Sequence, residues 1–430
     1  MDNVYQGKKL LLLAGQGVHQ KVVEACRANG IYTVVADYLP DSPAKRIADE
    51  TSMLSIMDVE GIVEYCRKND IDGVMNFCND LASKVIQVVN EQLGLPNIGT
   101  KEQVATLTNK QIFKHFCKEN NIDTIPEYSM EDVEAGNIEY PVLVKPVDSR
   151  GSRGSAICYD KEELLKAIPV SKAAASDGES IIIEKFLGKN QDLSIVYYVI
   201  DGEPYLVQLG DRYQGRMEDG LERQICGIVH PSRYTDMYLR NVNDRMIAMI
   251  KKLGIVNAPV FVQGFVDGDT VRMYDPGIRF PGNEFERIFA KATGLNLMLS
   301  SAVYFLTGKM PEEKDAYKSS YDLNGLCAVS YMVNARAGTI TTYKGLDVIR
   351  NHPGIVDVQE KRSVGEVIEN TGDVLHRIGE ISILCERSSE TLRSIIHFIH
   401  ENLIVEDENG QSMLISPLDD EIVDLYKDIF

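Results

Sequence analysis

Tyr140-Pro-Val-Leu-Val-Lys145-Pro146, running directly into Val147-Asp-Ser-Arg-Gly-Ser-Arg-Gly-Ser155, is a β-branched strand that ends on a lysine and gives way to a glycine- and serine-rich loop. Such a strand presents the ammonium of Lys145 as a fixed point charge. Gly151, Ser152, Gly154 and Ser155 let backbone N–H groups and small hydroxyls close on an anion without Cβ obstruction. The stretch suits the grip of a polyphosphate. Read by itself it equally suits a solvated loop, so the decision rests on its surroundings.

Upstream, Lys8 to Ala14 reads as a buried strand, Gly15-Gln-Gly17 as a tight turn, and His19 to Asn29 as a helix closed by Gly30. Tyr32 to Ala36 is a second strand, followed by a helix over Glu60 to Asn69, a strand over Gly73 to Phe77 and a helix over Leu81 to Leu93. This alternation predicts a doubly wound parallel sheet over residues 1–105. Gly15-x-Gly17 lacks the third glycine of a dinucleotide fingerprint, so it reads as a packing turn, with Asp37 the residue a ribose would otherwise claim. Asn109 to Asn120 is the next helix. Strands over 180–186, 193–200 and 203–208, a helix over 161–167, a helix over 240–253 and a hairpin over 260–274 then predict an α+β domain at 106–310, with subdomains 106–187 and 188–310. A single helix is expected over about 283–306. Residues 210–232 show little periodicity and are expected to form a lid or binding loop. Short strands around a helix at Ser389 to Glu401 predict a small α+β appendage at 311–430.

A chain of 430 residues, 44% hydrophobic and 25% charged, is a folded protein of two or three domains. Its formal charge of −19 argues against nucleic acid or an anionic membrane as partner, while leaving room for a small anion drawn in by local cations. The first apolar run ends after about five residues, too short for a signal segment or a span, so the cytoplasm is the expected compartment. The cysteines at 26, 66, 78, 117, 158, 226, 327 and 385 are scattered without a C-x-x-C pair and are expected to be buried thiols.

Two further constellations bear on the loop. In Phe261-Val-Gln263-Gly-Phe-Val-Asp267-Gly268-Asp269-Thr-Val-Arg-Met-Tyr-Asp275-Pro-Gly277-Ile-Arg279, Asp267-Gly268 signals a hairpin that places Gln263 and Asp275 on neighbouring strands, within diagonal reach. An amide oxygen and a carboxylate so placed can share a hard cation such as Mg²⁺, with Arg279 adding a fixed charge; a solvated surface hairpin is the alternative. In Ser180-Ile-Ile-Ile-Glu184-Lys185-Phe186-Leu187, a strand end can offer Glu184 and the backbone of Lys185 to Leu187 to an adenine edge, Phe186 or Leu187 to its face, and Asp192 to ribose hydroxyls. Taken singly, each is ordinary surface.

The order Lys110, Lys145, Glu184-Lys-Phe-Leu187, Gln263, Asp275, Arg279 resembles the ATP-grasp superfamily over about residues 5–310. Tyr32 to Ala44 looks like the preceding domain of its carboxylase-like and carbamoyl-phosphate-synthetase-like members. Gly345 to Ile415 is similar to the appendage of its L-amino-acid ligases. The resemblance implies that Lys110 and Lys145 contact ATP phosphates, Glu184, Lys185 and Leu187 the adenine, and Asp192 the ribose, with Gln263 and Asp275 holding magnesium. Members typically carry Glu-x-Asn-x-Arg where this chain has Asp275-Pro-Gly277-Ile-Arg279, so one side-chain ligand is missing. Single metal occupancy or reduced turnover would follow.

The implied reaction is ATP-dependent joining of a small carboxylate to an amine through an acyl phosphate, with ADP released and Lys145 and Arg279 carrying catalysis. Arg212, Arg223 and Arg279 are the candidates for binding the substrate carboxylate. Carboxylase-like or carbamoyl-phosphate-synthetase-like chemistry, or an ATP-binding protein that has lost turnover, are the alternatives. The identities of acid and amine are not legible, and a homodimer stays open.

Overall fold

The computed structural model describes residues 4–146, 154–175, 177–221, 224–311, 313–372 and 374–430, with only the backbone of Val374. Gly151, Ser152 and Arg223 of the expected sites therefore lie outside the described residues.

Leu10 to Leu13 are each at most 1% exposed, because strand Lys9–Leu13 lies between Tyr32–Ala36 and Gly73–Met75 and is parallel to both. Glu50–Ser52 adds the edge. Helices Gly17–Ala28 and Val59–Lys68 supply crossovers that parallel pairing requires, and Asp80–Leu93 follows the last strand. The last of these begins at Asn79, whose side chain accepts the Ala82 N–H, and stops at Gly94 in the left-handed region. The glycine turn after the first strand is a packing device: a Cβ on Gly15 would meet Ser42 Oγ at 2.0 Å. Asp37 accepts the Gly15 N–H at 2.7 Å, so it closes the turn.

A small antiparallel sheet follows, ordered Glu127–Tyr128, Ile181–Lys185, Val142–Pro146, Ala156–Cys158, with helix Lys161–Ala174 on Val142, Val144 and Ile183. The largest sheet is antiparallel. Its order runs Thr270–Gly277, Ala258–Asp267, Asp192–Ile200, Glu203–Gln214, Ile225–His230, Leu326–Ala335, Arg377–Glu386, Ile355–Glu360. Residues beyond 311 thus contribute strands to the same sheet as residues 192–277. Every residue of Asp192–Ile200 is buried, as the centre of a sheet covered on both faces demands.

Three expectations change. Residues 210–232 are not an irregular lid: Glu203–Gln214 and Ile225–His230 pair within the large sheet. Their polar residues hid the pattern, since Asp211 is fully buried among Ser232, Arg233 and Tyr426. Gly210 is small because a Cβ there would lie 2.3 Å from the His230 ring. The single helix over 283–306 is two, Phe285–Thr293 and Leu297–Thr307, bent by 97° where Gly294 adopts a positive φ and Asn296 caps the second. Lys101–Thr108 is a helix too, started by a reciprocal Thr100–Gln103 cap. Among the described residues no single helix is long and apolar enough to cross a membrane.

Candidate active site

A cleft of about 410 Å³ opens between the small sheet and the outer hairpin of the large one. Lys110, Lys145, Ser155 and Glu184 line it, facing Phe265 and Tyr274 across the gap. Each comes from a different constraint. Lys110 is the first residue of helix Lys110–Glu119, set by Asn109, whose side chain accepts the N–H groups of Gln111 and Ile112. Lys145 and Glu184 stand on neighbouring strands, paired Leu143 to Glu184 and Lys145 to Ile182, and their side chains form an ion pair. Ser155 begins where the described chain resumes beside Gly154.

On the outer hairpin Gln263 and Asp275 are direct cross-strand partners, closer than the diagonal relation expected. Lys110 Nζ lies 2.7 Å from Asp275 Oδ1, so the helix and the hairpin are tied by charge across the cleft. A bulge follows Gln263, and it turns Tyr274 to the same side: its hydroxyl donates to Gln263 Oε1 at 2.8 Å and lies 3.1 Å from Asp192 Oδ1. Asp192 is 3% exposed and paired with Arg212 at 2.5 Å. Burial pushes its carboxyl up to about 6 against the pull of Arg212 and the Tyr274 hydroxyl. Burial, with Asp192 adding, also holds the Tyr274 phenol well above its usual range.

The remaining expected residues are placed otherwise. Lys185 Nζ lies 3.1 Å from Glu139 and 3.8 Å from Asp267. The N–H groups of Lys185 and Phe186 donate to the carbonyls of Pro126 and Pro141, so neither is free for a base edge. Phe186 folds over Gly188, where a Cβ would sit 2.6 Å from the ring, and Leu187 is buried. Arg212 is engaged by Asp192 and Tyr274. Arg279 grips Asp80 of the N-terminal sheet domain with both carboxylate oxygens engaged, at 2.5 and 2.8 Å, and stacks 5.2 Å from the Phe261 ring centroid.

Sequence reading missed Tyr274, Phe265 and Asp80. Tyr274 stacks on Phe265 with centroids 4.8 Å apart, and the glycine at 264 inside a strand was the one local sign of the bulge that aims it. Asp80 had no sign, since its partner lies 199 positions away.

A hard cation fits this donor set only in company. Among the described residues no three His, Cys, Asp or Glu side chains gather to hold a metal by themselves. Gln263 and Asp275 offer an amide and a carboxylate oxygen, the small protein share that Mg²⁺ accepts when phosphates complete its shell. A Cβ at Gly277 would stand 3.3 Å from Asp80 Oδ1 and 3.3 Å from Arg279 Cγ, so a side chain there needs only a small shift of the Asp80–Arg279 pair.

Residues 109–270 match the carbamoyl-phosphate synthase L chain, ATP binding domain. Formate-dependent phosphoribosylglycinamide formyltransferase of Prochlorococcus marinus (strain NATL1A) is 25% identical over 197 residues, covering 44% of this chain and 50% of that protein. The enzyme of the same name from Proteus mirabilis (strain HI4320) is 21% identical over 284 residues, 63% of this chain and 69% of its own. The chain thus spans about half the length of the first of these curated relatives. Among solved structures, phosphoribosylglycinamide synthetase from Anaerococcus prevotii superposes with a TM-score of 0.73 at 17% identity, covering 93% of this chain and 100% of that one. L-amino acid ligase from Bacillus licheniformis gives 0.73 at 19%, with 94% and 100% covered. The biotin carboxylase domain of Hydrogenobacter thermophilus 2-oxoglutarate carboxylase, in complex with MgADP and bicarbonate, gives 0.71 at 18%, with 94% and 96% covered.

Proposed function

We propose that this chain, whose residues 109–270 match a carbamoyl-phosphate synthase ATP binding domain, is an ATP-grasp enzyme and an ADP-forming ligase that activates a small carboxylate as an acyl phosphate and joins it to an amine. The nucleotide lies between subdomains 106–187 and 188–310, with 1–105 and 311–430 completing the substrate side. The observation that carries this reading is the convergence of Lys110 and Lys145, from a helix start and a strand end 35 positions apart, on one cleft between two sheets. Each ammonium group is held by one carboxylate, Lys110 by Asp275 and Lys145 by Glu184, and a triphosphate can exchange for either.

In the reaction a substrate carboxylate oxygen attacks the γ-phosphorus, the bond to the ADP oxygen breaks, and an acyl phosphate forms. The amine then attacks the acyl carbon and phosphate leaves. Lys110 and Lys145 neutralise phosphate charge where it accumulates, and Ser155 supplies a hydroxyl at the same wall. Arg279 exchanges Asp80 for the substrate carboxylate in this reading, the same bidentate pairing serving both. Magnesium held by Gln263 and Asp275 would supply further charge neutralisation when bound with the nucleotide.

A product-detecting mass-spectrometry screen of small acids and amino acids with ATP and Mg²⁺, run beside Lys145→Ala, tests this. New amide-containing products that vanish in the variant support it. Tight ATP binding with no acceptor-stimulated ADP release favours the second reading, a nucleotide-binding protein without turnover, whose specific support is that Gly277 offers no side-chain ligand beside Asp275.

A further inference from the structure

Four polar atoms crowd the Tyr274 hydroxyl: Gln263 Oε1 at 2.8 Å, Arg212 Nη1 at 3.0 Å, and Asp192 Oδ1 and Oδ2 at 3.1 and 3.2 Å. A phenol has one proton to give and two lone pairs to fill. Arg212 can only donate, so it fills one lone pair. The other three neighbours are oxygens, all acceptors, and they compete for a single proton. Either Gln263 or Asp192 goes without it at any moment.

The two differ in what they do without it. Asp192 still has Arg212, whose Nη1 reaches Oδ2 at 2.5 Å. Gln263 can turn its amide by half about the last side-chain bond, because a carboxamide carries an acceptor at one end and donors at the other. Nε2 then donates to the second lone pair of the phenol oxygen, and the phenol donates to Asp192. That arrangement uses the whole phenol, with two donors in and one proton out. In the arrangement seen in the structure one lone pair is idle, and the phenol is the one side-chain hydrogen-bond partner of the Gln263 amide among the described residues.

The phenol is held while the amide is free to turn. The Tyr274 ring stacks on Phe265 with the planes 15° apart, and Arg212 pins its oxygen from the sheet. Gln263 is half-buried, beside the bulge that separates it from Gly264. Turning the amide changes what it offers beside Asp275, its cross-strand partner. With Oε1 on the phenol, the outward end carries N–H groups, which suit a phosphate oxygen. With Nε2 on the phenol, the outward end is an oxygen, which suits a hard cation. In the structure Asp275 is answered by Lys110 at 2.7 Å, and the phenol has the amide oxygen.

Resting on the ligase reading above, we propose that Tyr274 is a positioning residue for the magnesium-bound nucleotide, its hydroxyl selecting which end of the Gln263 amide faces the cleft. Donating to Gln263, it withholds the amide oxygen. Donating to Asp192, it accepts from Gln263 Nε2 and releases that oxygen to a divalent cation beside Asp275. The phenol keeps its proton throughout, with Asp192 as the standby acceptor and Arg212 as the fixed donor.

Exchange of the Gln263 side-chain N–H groups with solvent reads this selection without turnover. The full chain, isotope-labelled in its glutamine side chains, is followed by NMR when empty and when saturated with Mg²⁺ and a non-hydrolysable ATP analogue. Gln263→Glu identifies the signal by its loss. Gln111 lines the same cleft and controls for shielding by the nucleotide. One Gln263 N–H is expected to slow on Mg²⁺-analogue binding at least about tenfold more than those of Gln111, about the worth of one hydrogen bond. Tyr274→Phe is expected to abolish that excess, with thermal melts confirming that the variant is folded; should it not fold, the native comparison with Gln111 decides. A Gln263 amide that slows no more than Gln111, or an excess undiminished in the folded variant, would overturn the assignment. Failure of the native chain to bind the analogue with Mg²⁺ would instead sink the ligase reading.

Discussion

The cleft lined by Lys110 and Lys145 and the buried glutamates Glu284 and Glu286 treat charge in opposite ways. In and beside the cleft the cations have anions: Lys145 with Glu184, Lys110 with Asp275, Arg212 with Asp192. In the cluster Glu284 and Glu286 have none among the described residues. The lesson is one of ligand charge. A site for a polyanion must keep several cations close together, and internal carboxylates hold them until the ligand replaces those contacts. The two glutamates, buried without an ion pair, are instead pushed up to about 7 and about 8, so protons stand in for cations there.

The largest test of this contrast removes a partner that no ligand can replace. Asp192→Ala leaves Arg212 buried without its carboxylate, and we expect about 3–5 kcal/mol of lost stability, read from denaturant unfolding. An unchanged midpoint would mean that the Arg212 pairing contributes nothing. Lys145→Ala should cost about 10²- to 10³-fold in ATP turnover, by analogy with loss of one preorganised charge-stabilising donor. Its unfolding midpoint should fall less than that of Asp192→Ala, because Lys145 is partly exposed, and retention of wild-type ADP release would remove Lys145 from the mechanism.

The cluster responds to pH with a definite sign. Glu286 keeps its proton up to about pH 8 in the fold but loses it near the ordinary carboxylate value when unfolded. Between those values the folded state binds more protons, so its stability falls as pH rises and levels off above about 8. Glu286→Gln removes the Glu286 share of that slope, gaining on the order of 1.4 kcal/mol per pH unit relative to the parent across the window, while Glu284 keeps its own share up to about pH 7. Thermal melts from pH about 5 to about 9 check it, and parallel curves for the two proteins would contradict it. The smallest expected effect is at Asp80→Asn. It loosens Arg279 without removing it, and should lower the KM for the carboxylate substrate about two- to threefold with kcat nearly unchanged, as for a change in ground-state binding alone. A raised KM would mean that Asp80 orients Arg279 for the substrate and does not compete with it.

How much could be read in advance follows from where each residue finds its partners. Leu10 to Leu13, Val142 to Lys145 and the Asp267-Gly268 hairpin carry their structure in neighbouring residues, and they stand where periodicity placed them. Lys110, Lys145, Ser155 and Glu184 share one cleft, as their order suggested. The segment 210–232 was misread because Asp211 is satisfied by Tyr426, 215 positions away, and a buried paired aspartate looks like loop polarity from sequence. Glu284 and Glu286 resembled ordinary polar residues at a helix start. Only packing against the strands beyond 311 buries them.

By itself the sequence determined the element types, the alternating first hundred residues, and which lysines stand beside a pliable loop, because these depend on contacts a few residues long. Tertiary structure alone decided that Asp80 holds Arg279, that Tyr274 joins Gln263 to Asp192, and that two glutamates lie buried without cations. Those outcomes depend on dielectric and distance, and both are set by which remote segments come to rest against one another.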